Sequence, residues 1–287
     1  MNKTHYLLFA ALMAAALPSC NKEVTNENSI RGEEIVIGMG DSFDATVETR
    51  TTAITAVPAT LYWGATKGGN AAGSANETLV WSKTSASLSS GKISTGKYQT
   101  STPTSYNYYV TNKDNLTVGA GNTTITADNT VDALAGRTFG NSTTTPSVEL
   151  QHIFSRTGSL TMSAQSGYNI SGVSWTIVGT GTVNGTAGTY DLKTGTWTSA
   201  SAKLTDDTAI TSSSDLYLIP GAYTVKCTYT LAKGDWSKTF TKSASVTLTQ
   251  GKINNISGTA SGGDASEIKI SVTLADWQTV TLTPTFA

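Results

Sequence analysis

Residues 221–231 read GAYTVKCTYTL. Tyr223, Val225, Cys227, Tyr229 and Leu231 fall on one face of an extended chain, and Thr224, Lys226, Thr228 and Thr230 on the other. A period of two with one apolar and one threonine-rich face predicts a half-buried β-strand. On that apolar face Cys227 is expected to be a buried, inert thiol. The same grammar extends outward. Before it come "GTYDLKTGTWT" (188–198) and "SDLYLIP" (214–220); after it come "WSKTFTKSASVTLTQGK" (236–252) and "EIKISVTLADW" (267–277). Each is a strand-length run bounded by Gly, Ser, Asn or Lys turns.

Working toward the N-terminus, "EEIVIGMG" (33–40) places Ile35, Ile37 and Met39 on one face, and "SFDATVETR" (42–50) does so with Phe43, Ala45 and Val47. "ATLYWGAT", "ETLVWSK", "KYQT" and "SYNYYVT" follow. The stretch "VGAGNTTITADNTVDALAGRTFGNSTTTP" (118–146) is weakly patterned and is expected to be loop-rich, with one strand at most and Arg137 exposed in it. "SVELQHIFSRTGSLTMSAQ" (147–165) then opens a second half. Short strands at regular spacing with turn residues between them predict an all-β chain of β-sandwich domains. The expected division is 33–148 and 149–287. Long helical periodicity, as in an α/β enzyme, is absent after the first twenty residues.

Charged residues make up 14% of the 287-residue chain and the formal net charge is −1, so no nucleic-acid partner is expected. At the N-terminus, Lys3 precedes a short apolar run, Tyr6 to Leu17, that ends "LPSC". The run is too short to span a bilayer and suits a secretory signal over residues 1–19. Leu17, Ser19 and Cys20 resemble a lipobox, with Pro18 an unusual occupant. Cys20 is therefore the expected lipidation site, its acyl chains (palmitate among them) holding the chain at the outer membrane. Residues 20–32, including the polar "NKEVTNENS", read as a tether. With Cys20 acylated, Cys227 has no partner and no disulfide framework is expected.

The search for chemistry is negative. Beyond the signal the one histidine is His152, flanked by Leu150 and Phe154 in a strand-like run, and a packed or hydrogen-bonded structural role is expected. "GMGDSF" has Phe43 where a dinucleotide fingerprint needs its third glycine. Asp206 and Asp207 are adjacent and point apart on a strand; Asp207-Thr208-Ala209 resembles a short O-glycosylation signal at Thr208. No metal-ligand spacing, catalytic residue or cofactor is expected. The tryptophans at 63, 81, 175 and 197 lie in strand-like runs and are expected to pack. Trp236 follows the turn "AKGD".

The order of these motifs resembles one family. Cys20, "VETRTT" at Arg50, "LQHIFSRTGSLTM" (150–162), "DLYLIPGAYTVKCTYTL" (215–231), "SVTLTQGKINNISG" (245–258) and "IKISVTLADW" (268–277) together look like the fimbrillins, type V pilins exported by Gram-negative anaerobes. The resemblance implies two transthyretin-like β-sandwich domains in tandem, a lipoprotein precursor, and Arg-specific cleavage early in the first domain. The cut would remove a strand whose groove a neighbouring subunit fills. Cys20 and Arg50 match the lipidation and cleavage points, with Arg31 the competing site. The implied role is a structural subunit of a cell-surface fimbria supporting adhesion. Its partners would be other pilin subunits, the outer membrane before processing, and a host or bacterial surface receptor. A surface lipoprotein that binds glycans through exposed aromatics is the alternative.

The chain ends "QTVTLTPTFA" (278–287), in which Val280, Leu282, Pro284 and Phe286 alternate with threonines. Such a strand can complete a neighbour's sheet, main-chain bonds giving affinity and alternate side chains giving register. Val280, Leu282 and Phe286 are its expected anchors; Pro284 lacks an N–H and suits an edge or bulge. The four apolar side chains of this face, Pro284 included, at ~1.5–3 kcal/mol each would contribute about 6–12 kcal/mol before ordering costs. The other reading is an edge strand folded onto its own domain.

Overall fold

The alternation in residues 221–231 is carried into three dimensions. Tyr223, Val225, Cys227, Tyr229 and Leu231 are fully buried, while the intervening Thr224, Lys226, Thr228 and Thr230 are half-buried. The computed structural model describes residues 32–39, 47–48, 53–54, 60–68, 77–99, 104–212, 216–260 and 268–276, of which 47–48, 53–54 and 268–276 are described as backbone only. Among the described residues every regular element is a strand.

The first half contains β1 (Glu34–Met39), β2 (Val47–Glu48), β3 (Ala53–Ile54), β4 (Thr60–Lys67), β5 (Thr78–Ser89), β6 (Lys92–Tyr98), β7 (Tyr106–Thr111), β8 (Thr117–Val118), β9 (Thr123–Asp128), β10 (Leu134–Asn141) and β11 (Ser147–Val148). The second half contains β12 (Gln151–His152), β13 (Ser155–Ala164), β14 (Asn169–Gly179), β15 (Gly185–Asp191), β16 (Thr196–Lys203), β17 (Thr208–Ile210), β18 (Tyr217–Leu218), β19 (Gly221–Lys233), β20 (Trp236–Leu248), β21 (Lys252–Ala260) and β22 (Ile268–Asp276).

In the second half, the sheet β17-β14-β19-β20 packs on the sheet β18-β13-β21-β22. Their shared core takes Trp175, Ile177, Val225 and Tyr229 from one sheet and Leu160, Leu218 and Ile256 from the other. The longest hairpin is β19–β20, paired without a slip from Gly221↔Leu248 to Lys233↔Trp236. Its turn is Gly234-Asp235, and Gly234 has φ +59°. A left-handed glycine first in a two-residue turn matches the twist of the flanking strands.

The first half is built on an eight-stranded sheet in the order β11-β1-β6-β5-β4-β7-β10-β12. One face of it carries a core that includes Ile35, Trp63, Ile93 and Tyr108. A further sheet runs β16-β15-β9-β8 and so draws strands from both sides of residue 148. There Tyr190 of β15 pairs with Ile125 of β9. Both side chains enter a core with Tyr109, Phe154 and Ile219, and Trp197 Nε1 donates to the Ile153 carbonyl at 2.9 Å. The aromatic rings of Phe154 and Trp197 lie 4.7 Å apart.

Residues 118–146 depart from expectation. They hold two full strands, β9 and β10, rather than a loop with one strand at most. β10 reads LAGRTFGN and has little intrinsic strand preference; it is a strand because β7 and β12 pair with it on both sides. A side chain at Gly136 would meet the Glu149 carbonyl at 2.2 Å, so the close approach requires glycine. Arg137 is likewise not a free loop residue. It is half-buried in β10, with Nη1 donating to the Leu192 carbonyl at 2.9 Å and Nη2 to Thr194 at 3.3 Å.

Candidate functional site

The sequence EIVIGM of β1 alternates, and its register decides what it touches. Ile35 and Ile37 are fully buried against the first-half core, and Met39 packs at its margin. The backbone is held along both edges. On one side Val36 N donates to the Thr144 carbonyl at 2.7 Å and Gly38 N to Pro146 at 2.8 Å, beside the parallel strand β11. On the other, antiparallel to β6, Met39 N donates to Gly91 at 2.8 Å and Gln99 N to Glu33 at 2.9 Å. Thr95 Oγ1 adds a buried bond to the Ile35 carbonyl at 2.6 Å.

Glu34 points the other way. Its carboxylate accepts from the Ser94 hydroxyl and from Gly96 N at 3.0 Å. Those bonds, Ser94 foremost, hold its carboxyl below the usual carboxylate range. β1 therefore lies in a slot with hydrogen-bonding walls and an apolar floor. Burying Ile35 and Ile37 contributes about 3–6 kcal/mol, at ~1.5–3 kcal/mol per side chain. An empty slot would expose that floor and leave two rows of unpaired backbone groups.

Downstream of β1, β2 and β3 pair with each other, Val47 opposite Ile54 and Glu48 opposite Ala53, and with no other described strand. Arg50 falls in sequence between them. Arg50, Cys20 and the expected donor residues Val280, Leu282 and Phe286 all lie outside the described residues. β22 pairs with β21 at the edge of its sheet, and its last residue, Asp276, is separated from Thr279 in sequence by Trp277 and Gln278.

The remaining candidates are placed as follows. Cys227 is buried, and burial pushes its thiol up to about 11. His152 Nδ1 lies 2.7 Å from Asp132 Oδ2, both side chains buried. No local pattern signals this pair, since Asp132 stands in the stretch expected to be loop-rich. Thr208 opens β17, and the neighbouring Asp207 Oδ2 accepts from Lys226 Nζ at 2.7 Å on the surface. Trp63 and Trp175 are buried and Trp81 and Trp197 partly so. Trp236 is 41% exposed, its ring 6.4 Å from those of Tyr168 and Phe240. A polar cleft of about 240 Å³ lies where the two halves meet, lined by Arg137, Glu149, Gln151, Tyr190 and Gln250 among others.

Residues 39–277 match the Fimbrillin-like family. The chain belongs to that family. The Fimbrillin-like family is a family of structural pilins rather than enzymes. Among solved structures, the chain is similar to a fimbrilin of Porphyromonas gingivalis at 8% identity, covering 86% of this chain and 98% of that one with a TM-score of 0.46. It is similar also to a fimbrial assembly protein of Parabacteroides distasonis at 12% identity, covering 84% and 97% with a TM-score of 0.41. A search of curated proteins found no match.

Proposed function

We propose that this fimbrillin is a structural subunit of a cell-surface fimbria that supports adhesion and polymerises by strand exchange. It is exported as a lipoprotein acylated at Cys20, in the outer membrane of the cell, and is cut after Arg50. Residues 33–148 and 149–287 form its two domains, with other pilin subunits as partners. The observation that carries the reading is the double-sided, apolar-floored seat of β1. A strand seated in that way can be replaced by another of the same pattern.

The sequence of residues 279–286 has that pattern. Val280 and Leu282 repeat the spacing of Ile35 and Ile37. With Val280 at the Ile35 position and Leu282 at the Ile37 position, Pro284 takes the place of Met39. Met39 N donates one bond, to Gly91; the proline forfeits it at about 1 kcal/mol, at the end of the strand. A shift of two residues would put Pro284 opposite Ile93, in the middle of the pairing. The first register is the favoured one.

The test is N-terminal sequencing of material that ladders on unboiled gels after Arg-specific protease treatment. It should begin at Thr51. A start at Cys20 overturns the processing scheme. The exposed Trp236, beside Tyr168 and Phe240, supports a second reading in which the surface binds glycans. Retention on a polysaccharide column that is lost in Trp236→Ala would favour it.

A further inference from the structure

Away from the β1 slot, one buried carboxylate gathers an amine and a carboxamide from distant parts of the chain. Glu77 directly precedes β5, Asn107 lies on β7, and Lys193 lies in the turn between β15 and β16. They are 3%, 1% and 1% exposed. Glu77 Oε1 accepts from Asn107 Nδ2 at 2.5 Å and from the Tyr109 hydroxyl at 3.3 Å. Its other oxygen, Oε2, is met by Lys193 Nζ, which also donates to the Ala120 carbonyl at 2.7 Å. Asn107 Oδ1 accepts from Gly140 N at 2.9 Å.

This arrangement has a nucleophile, an electrophile and a proton carrier in one dry place. Burial lowers the pKa of the Lys193 amine and so favours its neutral, nucleophilic form. The Gly140 N–H polarises the Asn107 carboxamide and faces the oxygen on which charge would develop. The two reacting groups sit on the two oxygens of one carboxylate, which is the proximity that an intramolecular reaction needs.

We propose that Lys193 and Asn107 are joined by an intramolecular isopeptide bond formed with Glu77 as proton carrier. The Lys193 ammonium passes one proton to the Glu77 carboxylate. The neutral Nζ then attacks Asn107 Cγ, and the carbonyl electron pair moves to Oδ1, against Gly140 N–H. Glu77 gives its proton to Nδ2 and takes the second proton from Nζ. The Cγ–Nδ2 bond breaks with its pair on nitrogen, ammonia leaves, and the Oδ1 pair restores the carbonyl. Ammonia takes up the remaining proton, so Glu77 ends as it began, and no oxidant, metal or cofactor enters. The bond fastens the β15–β16 turn to the middle of the first-half sheet. It is independent of the strand-exchange reading.

Peptide mapping of the full chain by mass spectrometry tests it. The expected product is a branched peptide containing Asn107 and Lys193, lighter than its two arms by one ammonia, about 17 Da, with trypsin unable to cut at Lys193. Glu77→Gln should return both peptides to linear form at full mass. Lys193→Arg, which keeps a cation against Glu77, should do the same and guards against misfolding of the first variant. Linear peptides in the unmodified sequence would overturn the proposal and leave an ion pair alone. So would a branch that joins Lys193 to Glu77 with loss of water. A bond that forms undiminished in Glu77→Gln would remove Glu77 from the mechanism.

Discussion

Replacing Ile37 with alanine separates the precursor from the fibre. In the precursor Ile37 is fully buried among Trp63, Ile93 and Tyr108, and its strand is fixed on both sides, so the site cannot collapse easily around a lost side chain. Such truncations remove about 2–5 kcal/mol, and ~3 is a fair value for this seat. At about 2–4 °C per kcal/mol for a chain of this order, the melting temperature of the uncut protein should fall by roughly 6–12 °C. Val36→Ala, on the half-buried opposite face, should cost about 1 kcal/mol. The fibre behaves differently under strand exchange, because β1 has left with the cleaved segment. Polymers assembled from Ile37→Ala should dissociate on heating at the same temperature as polymers of the unmodified protein. Calorimetry of the uncut chain and a heat-dissociation series on gels give the two readings. A fibre weakened as much as the precursor would show that β1 is still present in it, and the exchange would have to be abandoned.

Three further outcomes follow from individual residues. Cys20→Ser should abolish labelling by a fatty-acid probe and mislocalise the precursor; undiminished labelling refutes the anchor. Leu282→Asp should block oligomers far more than Thr281→Asp, because it places an unpaired charge on the face to be buried; equal effects on a gel ladder would leave the strand without a privileged face. Cys227, with its thiol pushed up to about 11 by burial, should resist maleimide at neutral pH in the folded chain and react on denaturation. Because the folded value is the raised one, this group's contribution to stability is complete below its unfolded value and is lost as pH climbs toward 11; labelling of the native chain at pH 7 would contradict the burial.

Strand identity was legible wherever side chains alternate cleanly. Residues 221–231 and 33–40 state their inward faces outright, and Tyr223, Leu231, Ile35 and Ile37 are buried as their positions imply. The strands missed in 118–146 carry glycines, alanines and threonines, and their extended form comes from neighbours distant in sequence, β15 for β9 and β7 for β10. No local pattern encodes such a neighbour. Charged residues in the interior were equally silent. Glu77 and Lys193 look like ordinary surface residues at the start of a strand and in the tight turn "DLKTGT", and only the fold brings them into one buried cluster. The seat of β1 stood between these cases: its apolar face was readable, but its neighbours β6 and β11 were not.

The sheet β16-β15-β9-β8 has a consequence for the order in which the molecule can be made. A chain emerging N-terminus first presents β8 and β9 long before β15 exists to cover the free edge of β9. The parallel pairing of β1 with β11, Gly38 beside Ser147, and of β13 with β21, Arg156 beside Ile253, sets similar delays. Contacts this far apart in sequence close slowly. The first half thus cannot finish folding on its own while the second is still being threaded out. If the chain is exported unfolded, as proposed above, such wiring gives it time, and Lys193 reaches Glu77 and Asn107 only once the first 193 of the 287 residues have emerged.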